Sequence, residues 1–149
     1  MKTYLVAGGA GFIGSFLVKT LLARGDKVIC VDNLITGSEK NIEHHQNNPN
    51  FIFINQDIVK GVHGINQKLD GIFHLASPAS PNAKSPKSYI AYPIETLMVN
   101  SLGTKHLLDL ALSQKSRLIF ASTSEVYGDP EQSPQKESYN GNVNPNGPR

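Results

Sequence analysis

The stretch GGAGFIG, residues 8–14, is the most informative part of this 149-residue chain. It contains the pattern G-x-G-x-x-G, which carries weight only where it follows a strand and opens a helix. Thr3–Ala7 before it is a short apolar run typical of a β-strand, and apolar side chains from Phe12 to Leu22 recur at helical spacing. The stretch is therefore predicted to be the first turn of a β-α-β unit, in which glycine allows a tight turn and a close approach to a pyrophosphate.

Four further apolar runs follow along the chain, separated by helical or loop segments. Such alternation is typical of β-α-β units, in which helices join parallel strands. The amphipathic segment from Ile94 to Leu112 is predicted to be a helix whose apolar stripe packs in the core or, alternatively, pairs with a second subunit. The predicted fold is of the α/β class, a Rossmann-type doubly wound parallel sheet with strands at Thr3–Ala7, Val28–Val31, Phe51–Ile54, Ile72–Ala76 and Leu118–Ala121.

The composition is that of one globular domain, and it excludes several classes of protein. The net charge is +2 and the basic residues form no block, so no nucleic-acid partner is predicted. No apolar run is long enough to span a membrane, and glycines interrupt the apolar N-terminus, so a cytoplasmic protein without a membrane partner is expected. The single cysteine, Cys30, excludes an intramolecular disulfide and a Cys-based zinc site, and we expect a buried thiol there.

The composition changes at Asp129. Residues 129–149 contain four Pro, two Gly and four Asn but few large apolar side chains. That composition alone predicts a loop or a disordered tail. We therefore divide the chain into a nucleotide-binding domain at residues 1–128 and a connecting segment at residues 129–149.

Two acidic residues follow predicted strands. Asp32 ends the second strand, 18 residues after Gly14. A carboxylate at this position accepts hydrogen bonds from the adenosine ribose and repels a 2′-phosphate, which favours NAD over NADP. Asp57 ends the third strand, where two interpretations stand: an adenine contact or an ordinary turn residue.

Other segments extend the pattern beyond the glycine loop. HLAS at residues 74–77 and STSEVYG at residues 122–128, together with that loop, resemble the extended short-chain dehydrogenase/reductase family, whose members modify nucleotide sugars. ASPASP at residues 76–81 and NVNPNGPR at residues 142–149 narrow the resemblance to the UDP-glucuronate decarboxylases, which make UDP-xylose. The resemblance covers essentially the whole chain.

The resemblance implies a role for individual residues. Ser77, Asn100 and Thr123 would contact the nucleotide-sugar substrate. Met98 and Val99 stand where decarboxylases of this type often carry Lys-Thr, which is a departure from the family pattern. The residues implied to hold NAD are Gly8, Gly11, Phe12, Ile13, Gly14, Asp32, Asn33, Leu34, Thr36, Gly37, Asp57, Ile58, Leu75, Ala76, Ser77 and Ser122.

The implied reaction is oxidation of the sugar at C4, loss of CO₂ from the resulting β-keto acid, and re-reduction. Thr123 and Ser124 would bind the sugar near C4, and Glu125 would lie near C5. The related 4,6-dehydratases carry Thr-Asp-Glu here, and a serine hydroxyl is far too weak an acid to replace that Asp near neutral pH. Epimerases of the family usually lack a carboxylate at the position of Glu125. A dehydratase or an epimerase is the alternative activity.

The family's oxidation step uses a Tyr-x-x-x-Lys pair, and none of the five tyrosines is followed by such a lysine. In relatives the helix that carries this pair begins just past the position of Arg149. We therefore expect an N-terminal portion that is inactive alone, with Leu118 and Phe120 exposed because the following helix is missing. The full-length enzyme is expected to be a homodimer, and the alternative is a non-catalytic NAD-binding fragment or pseudoenzyme.

Overall fold

The sheet of this protein is parallel throughout, with five strands in the order β3-β2-β1-β4-β5. A computed structural model describes residues 1–144. The predicted strand positions are confirmed to within one or two residues. The strands are β1 at Thr3–Ala7, β2 at Lys27–Asp32, β3 at Phe51–Asn55, β4 at Gly71–His74 and β5 at Arg117–Phe120.

The strand order reverses at β1. The chain builds β2 and β3 on one side of β1 and then returns to place β4 and β5 on the other side, so that Val6 lies between Cys30 and Phe73. In open parallel sheets, ligands bind outside the carboxyl ends of the strands where the order reverses in this way. The topology therefore places a candidate site beyond Ala7, at the start of the glycine loop.

Helices cover both faces of the sheet. On one face, α1 at Phe12–Ala23 buries Val18 and Leu21 against the apolar side chains of β1 and β2. On the other face, α3 at Thr104–Gln114 buries Leu107 and Ala111. A short helix, α2 at Pro93–Met98, precedes α3, and single 3₁₀ turns lie at Glu39–Asn41, Glu43–His45, Ile58–Lys60 and Ser124–Tyr127.

The predicted helix from Ile94 to Leu112 is interrupted by a π-helical turn at Val99–Gly103, which joins α2 to α3. Gly103 is buried at this turn, where a Cβ would lie 3.0 Å from the side chain of Ile58. The helix therefore approaches the Ile58–Lys60 turn closely. π-Turns inside helices occur frequently at functional sites, and periodicity alone did not reveal this one.

The prediction that the apolar stripe of this helix packs in the core is wrong for four of its residues. The core contact of α3 is made by Leu107 and Ala111, so side chains on the other side of the helix face outward. The π-turn also shifts the helical register between α2 and α3, which a regular 3.6-residue pattern does not include. Ile94, Leu97, Leu108 and Leu112 are 51–80% exposed.

The β5 strand is partly covered. Leu118 packs against the core cluster beneath α3 and is partly buried, whereas Phe120 is 42% exposed. The expected exposure therefore holds for Phe120 and only in part for Leu118. None of the helices within residues 1–144 has the length and apolar character needed to cross a bilayer.

The segment after Tyr127 forms a closed loop. The backbone N–H of Asp129 donates to the carbonyl of Asn142 at 3.0 Å, and Asn142 donates to the carbonyl of Tyr127 at 2.9 Å. The rings of Tyr127 and Tyr139 stack with centroids 6.0 Å apart. Of the two interpretations of residues 129–149, a loop therefore matches residues 129–144. Residues 145–149, the end of the NVNPNGPR segment, lie outside the described residues.

Candidate functional site

A cleft of about 240 Å³ lies at the carboxyl edge of the sheet. Its walls come from the glycine loop after β1, the segments after β2, β3 and β4, and the helix α2. The position matches the reversal point of the strand order. The cleft brings together eleven of the residues predicted from sequence to hold a cofactor: Gly8, Gly11, Asp32, Asn33, Thr36, Gly37, Asp57, Ile58, Leu75, Ala76 and Ser77.

Glycine is required at position 8 for two reasons. The residue has φ +81°, which L side chains rarely adopt, and a Cβ there would lie 2.6 Å from the carbonyl carbon of Leu75. Gly14 is similarly constrained, because a Cβ at that position would overlap the carbonyl oxygen of Gly8. The loop therefore packs tightly between the end of β4 and the first turn of α1.

The first turn of α1 is open toward the cleft. Gly11 is the N-cap residue, no side chain caps the helix, and no acidic side chain lies in its first turn. The first N–H groups of an α-helix have no partners within the helix, and they carry partial positive charge. This helix end is therefore suited to binding an anion.

Asp32 joins the glycine loop to the segment after β2. Its Oδ2 accepts from the backbone N–H of Ala10 at 3.0 Å, and its Oδ1 accepts from that of Leu34 at 2.8 Å. Burial raises the pKa of this carboxyl, and the two backbone donors oppose that shift. Leu34 is held at φ +61°, and a Cβ at Gly37 would lie 2.9 Å from Oδ1. The carboxylate thus organises both walls of the cleft.

Asp57 is a turn residue, as one of the two interpretations made from sequence has it, and the adenine contact stays a prediction. As the N-cap of the Ile58–Lys60 turn, its Oδ1 accepts from the backbone N–H of Val59 at 2.9 Å. The same residue lines the cleft. It is therefore a turn residue that is also available to a ligand.

A hydrogen-bonded chain supports the cleft wall after β4. The side-chain amide of Asn100, in the π-turn, donates to Oγ of Ser77 at 2.9 Å. The carbonyl of Asn100 accepts from the hydroxyl of Thr104 at 2.9 Å, and that hydroxyl lies 3.0 Å from Nε2 of the buried His74. Asn100 does not line the cleft itself, so it acts by positioning the hydroxyl of Ser77, which does.

The predicted catalytic segment lies beside the cleft rather than in its wall. Thr123 follows β5, and its Oγ1 accepts from the backbone N–H of Glu125 at 3.4 Å. The N–H of Ala121 donates to the carbonyl of His74 at 3.0 Å, which keeps this segment at the same edge of the sheet as Ser77. The predicted site residues that do not line the cleft are Phe12, Ile13, Gly14, Leu34, Asn100, Ser122, Thr123, Ser124 and Glu125.

Several cleft residues were missed by sequence reasoning. Those directly after strands, such as Ile35 and Gln56, were detectable in principle because they adjoin predicted site residues. Pro78 lies in the ASPASP segment that carries the family resemblance, directly after the predicted Ser77. No local signal indicates those contributed by the first helical turns after it, because they reach the cleft only through the fold. The missed residues are Val31, Ile35, Gln56, Val59, Pro78, Ile94, Glu95, Met98 and Val99.

A family model describes almost the whole chain. The NAD dependent epimerase/dehydratase family matches residues 4–148. The cofactor in the family's description is the one favoured by Asp32 at the end of β2.

Curated relatives and solved structures agree with this match. The chain is 51% identical over 145 residues to UDP-glucuronic acid decarboxylase 4 of Arabidopsis thaliana, covering 97% of this chain and 31% of that protein. It is 49% identical over 148 residues to UDP-glucuronic acid decarboxylase 1 of Danio rerio, covering 99% of this chain and 34% of that protein. UDP-glucose 4-epimerase of Thermus thermophilus, solved in complex with NAD, superposes with a TM-score of 0.72 at 29% identity, covering 95% of this chain and 44% of that chain.

The chain spans only about a third of the length of these two decarboxylases. Its sheet order, its glycine loop and its carboxylate at the end of β2 nevertheless agree with the sequence match along nearly the full chain. The protein therefore belongs to the NAD-dependent epimerase/dehydratase family, a group of extended short-chain dehydrogenases/reductases.

Proposed function

We propose that the cleft binds NAD and that this chain is the cofactor-binding half of a nucleotide-sugar decarboxylase acting on UDP-glucuronate. The observation that carries the proposal is the convergence of the glycine loop, the open end of α1 and Asp32 at the reversal point of the sheet. The identity of about 50% to UDP-glucuronic acid decarboxylases supports the choice of substrate.

The glycine loop fits a pyrophosphate. Gly8 and Gly11 line the cleft without side chains, so a phosphate can approach the backbone closely. The backbone N–H groups of Phe12, Ile13 and Gly14 would donate to it, so these residues would contribute although they do not line the cleft. The cradle is thus built from main-chain donors.

The segments after β2 and β3 fit an adenosine. Asp32 is 8% exposed, and its carboxylate oxygens keep lone pairs free to accept from ribose hydroxyls. Asn33, Leu34, Thr36 and Gly37 would complete the ribose side. Asp57 and Ile58 would contact the adenine. A carboxylate among these residues disfavours the extra phosphate of NADP.

We assign the segment after β4 to the nicotinamide end of NAD, where the reaction takes place. Leu75, Ala76 and Ser77 would lie along the nicotinamide half, with Ser122 beside them. Ser77, positioned by Asn100, would also reach the substrate, as would Thr123. When bound, NAD⁺ would accept hydride from C4 of the sugar and return it after CO₂ has left.

The residues after β5 would act on the sugar. Thr123 and Ser124 would donate hydrogen bonds to the C4 oxygen, which stabilises negative charge there as CO₂ leaves. Glu125 would lie near C5, where it would order a water or assist proton return. Because Ser124 is too weak an acid for dehydration, decarboxylation is favoured over the 4,6-dehydratase alternative.

One observation favours a second candidate, a non-catalytic NAD-binding module. The sequence contains no Tyr-x-x-x-Lys pair to take the proton from the C4 hydroxyl. We therefore expect the 149-residue chain to bind NAD without turnover. Release of CO₂ from UDP-glucuronate by the pure chain would contradict that expectation. A longer version that bound UDP-glucuronate and NAD⁺ but released no CO₂ would overturn the decarboxylase assignment.

Cofactor binding is tested by calorimetric titration with NAD⁺. Asp32→Ala removes the ribose acceptor and the two backbone contacts, so it is expected to weaken binding at least about tenfold. Asp109→Ala is the matched control, since Asp109 lies on the exposed side of α3 and pairs with Lys105. Circular dichroism establishes that each variant is folded. Equal affinity of the two variants, or no binding by the unaltered chain, would contradict the proposal.

A further inference from the structure

The loop between β4 and α2 crosses to the opposite wall of the cleft. Nζ of Lys87 donates to the backbone carbonyl of Thr36 at 3.1 Å, although the two residues are 51 positions apart in sequence. Thr36 lines the cleft on the ribose side. One lysine side chain therefore connects the loop between β4 and α2 to the wall after β2.

Hydrogen bonds of Ser88 and Tyr89 fix the backbone beside Lys87. Ser88 is fully buried, and its hydroxyl accepts from the backbone N–H of Ala91 at 3.0 Å. The carbonyl of Ser80 accepts from the N–H of Tyr89 at 3.2 Å, and Ser80 pairs with Ser88 as an isolated bridge. The loop is thus fastened to itself directly beside Lys87, which fixes the point from which the lysine reaches.

The residues that follow Thr36 pack against the glycine loop. Thr36 precedes Gly37, where a Cβ would lie 3.2 Å from the carbonyl carbon of Ala10. The backbone N–H of Ser38 donates to the carbonyl of Ala10 at 3.1 Å. Lys87 therefore contacts the residue directly before the two that pack on the proposed pyrophosphate loop.

The cleft is lined by acidic side chains, although the proposed ligand is an anion. Among the described residues that line it are three acids, Asp32, Asp57 and Glu95, but no Lys or Arg. A dinucleotide brings two negative phosphates into those surroundings. The ammonium has three donors, and the carbonyl of Thr36 uses one of them, so two are free for a phosphate oxygen.

We propose that Lys87 is a cofactor-binding residue, whose ammonium pairs with a phosphate of the dinucleotide while it holds Thr36 across the cleft. The inference rests on the proposed function, since it assigns a further contact to the same site. The ammonium of Lys87 would offset the negative charge of the three carboxylates when an anionic ligand enters the cleft. A lysine–phosphate contact acts as a charge-assisted hydrogen bond.

The test compares Lys87→Ala with Lys84→Ala, a lysine in the same loop. Affinities for NAD⁺, ADP and adenosine are measured by NMR titration at low and high salt. Lys87→Ala is expected to weaken NAD⁺ and ADP about three- to tenfold at low salt and to leave adenosine, which has no phosphate, unchanged. Lys84→Ala should change none of the three. Lys87→Arg, which keeps the charge, should restore most of the affinity.

Two results would overturn the inference. One is an unchanged affinity of Lys87→Ala for ADP. The other is an equal loss for adenosine and ADP, which would show that the lysine only braces the cleft walls. If the unaltered chain binds none of the three ligands, the proposed function fails as well. If the unaltered chain binds them and the variant matches it, only the role of Lys87 fails.

Discussion

Gly8→Ala tests the close contact between the glycine loop and the end of β4. The alanine would have to adopt φ +81°, which costs about 1–2 kcal/mol. Its Cβ would also lie 2.6 Å from the carbonyl carbon of Leu75 and 2.7 Å from the nitrogen of Ala76. Both are main-chain atoms and cannot rotate away, so the carboxyl ends of β1 and β4 must separate.

Gly25→Ala is a matched control for this change. Gly25 has the same φ of +81°, but nothing lies within 4 Å of the position of its Cβ. Both variants therefore have the same cost in free energy from the backbone conformation. The difference between their free energies of unfolding measures the steric contact of the Cβ at position 8 with the end of β4. Overpacking of this kind costs about 1–3 kcal/mol more.

Urea unfolding followed by circular dichroism measures the difference. With a slope of about 1–3 kcal/mol per molar urea, Gly8→Ala should unfold at a midpoint about 1 M below that of Gly25→Ala. NAD⁺ binding should be lost in Gly8→Ala and retained in Gly25→Ala. Equal midpoints would show that the loop moves away from Leu75 without cost, and that the tight cradle is not a constraint.

Three further predictions concern groups outside the glycine loop. Burial lowers the pKa of His74, so the unfolded chain takes up a proton first as the pH falls. The free energy of unfolding should then decrease below about pH 6.5, by at most about 1.4 kcal/mol per pH unit for one group. His74→Gln should flatten urea-measured stability against pH, and an unchanged slope would contradict this. Burial raises the pKa of Cys30 to about 12, so the thiol should react with Ellman's reagent only on unfolding. A native rate equal to that in urea would disprove it. Because Leu108 and Leu112 face outward, we expect self-association that their double substitution by Glu abolishes in light scattering. An unchanged mass of the double variant would count against an interface on this helix.

The local elements could be predicted from short stretches of sequence. The strand Thr3–Ala7, the glycine turn and the helix beginning at Phe12 were each indicated by residues that are neighbours in the chain. Asp32 was located by its distance from the glycine loop, and the structure places it in the cleft. These features depend on backbone geometry and on apolar periodicity, which act over a few residues.

Other features depend on how the crossovers pack. Periodicity indicated a helix between β4 and β5, but the π-turn and the choice of Leu107 and Ala111 as its core contact follow from its fit against the sheet. Glu95 enters the cleft only because that helix begins beside it, and Lys87 reaches Thr36 only because the loop folds back at Ser88. Such contacts join residues about 50 positions apart, and a local pattern carries no information about partners brought together by chain crossover.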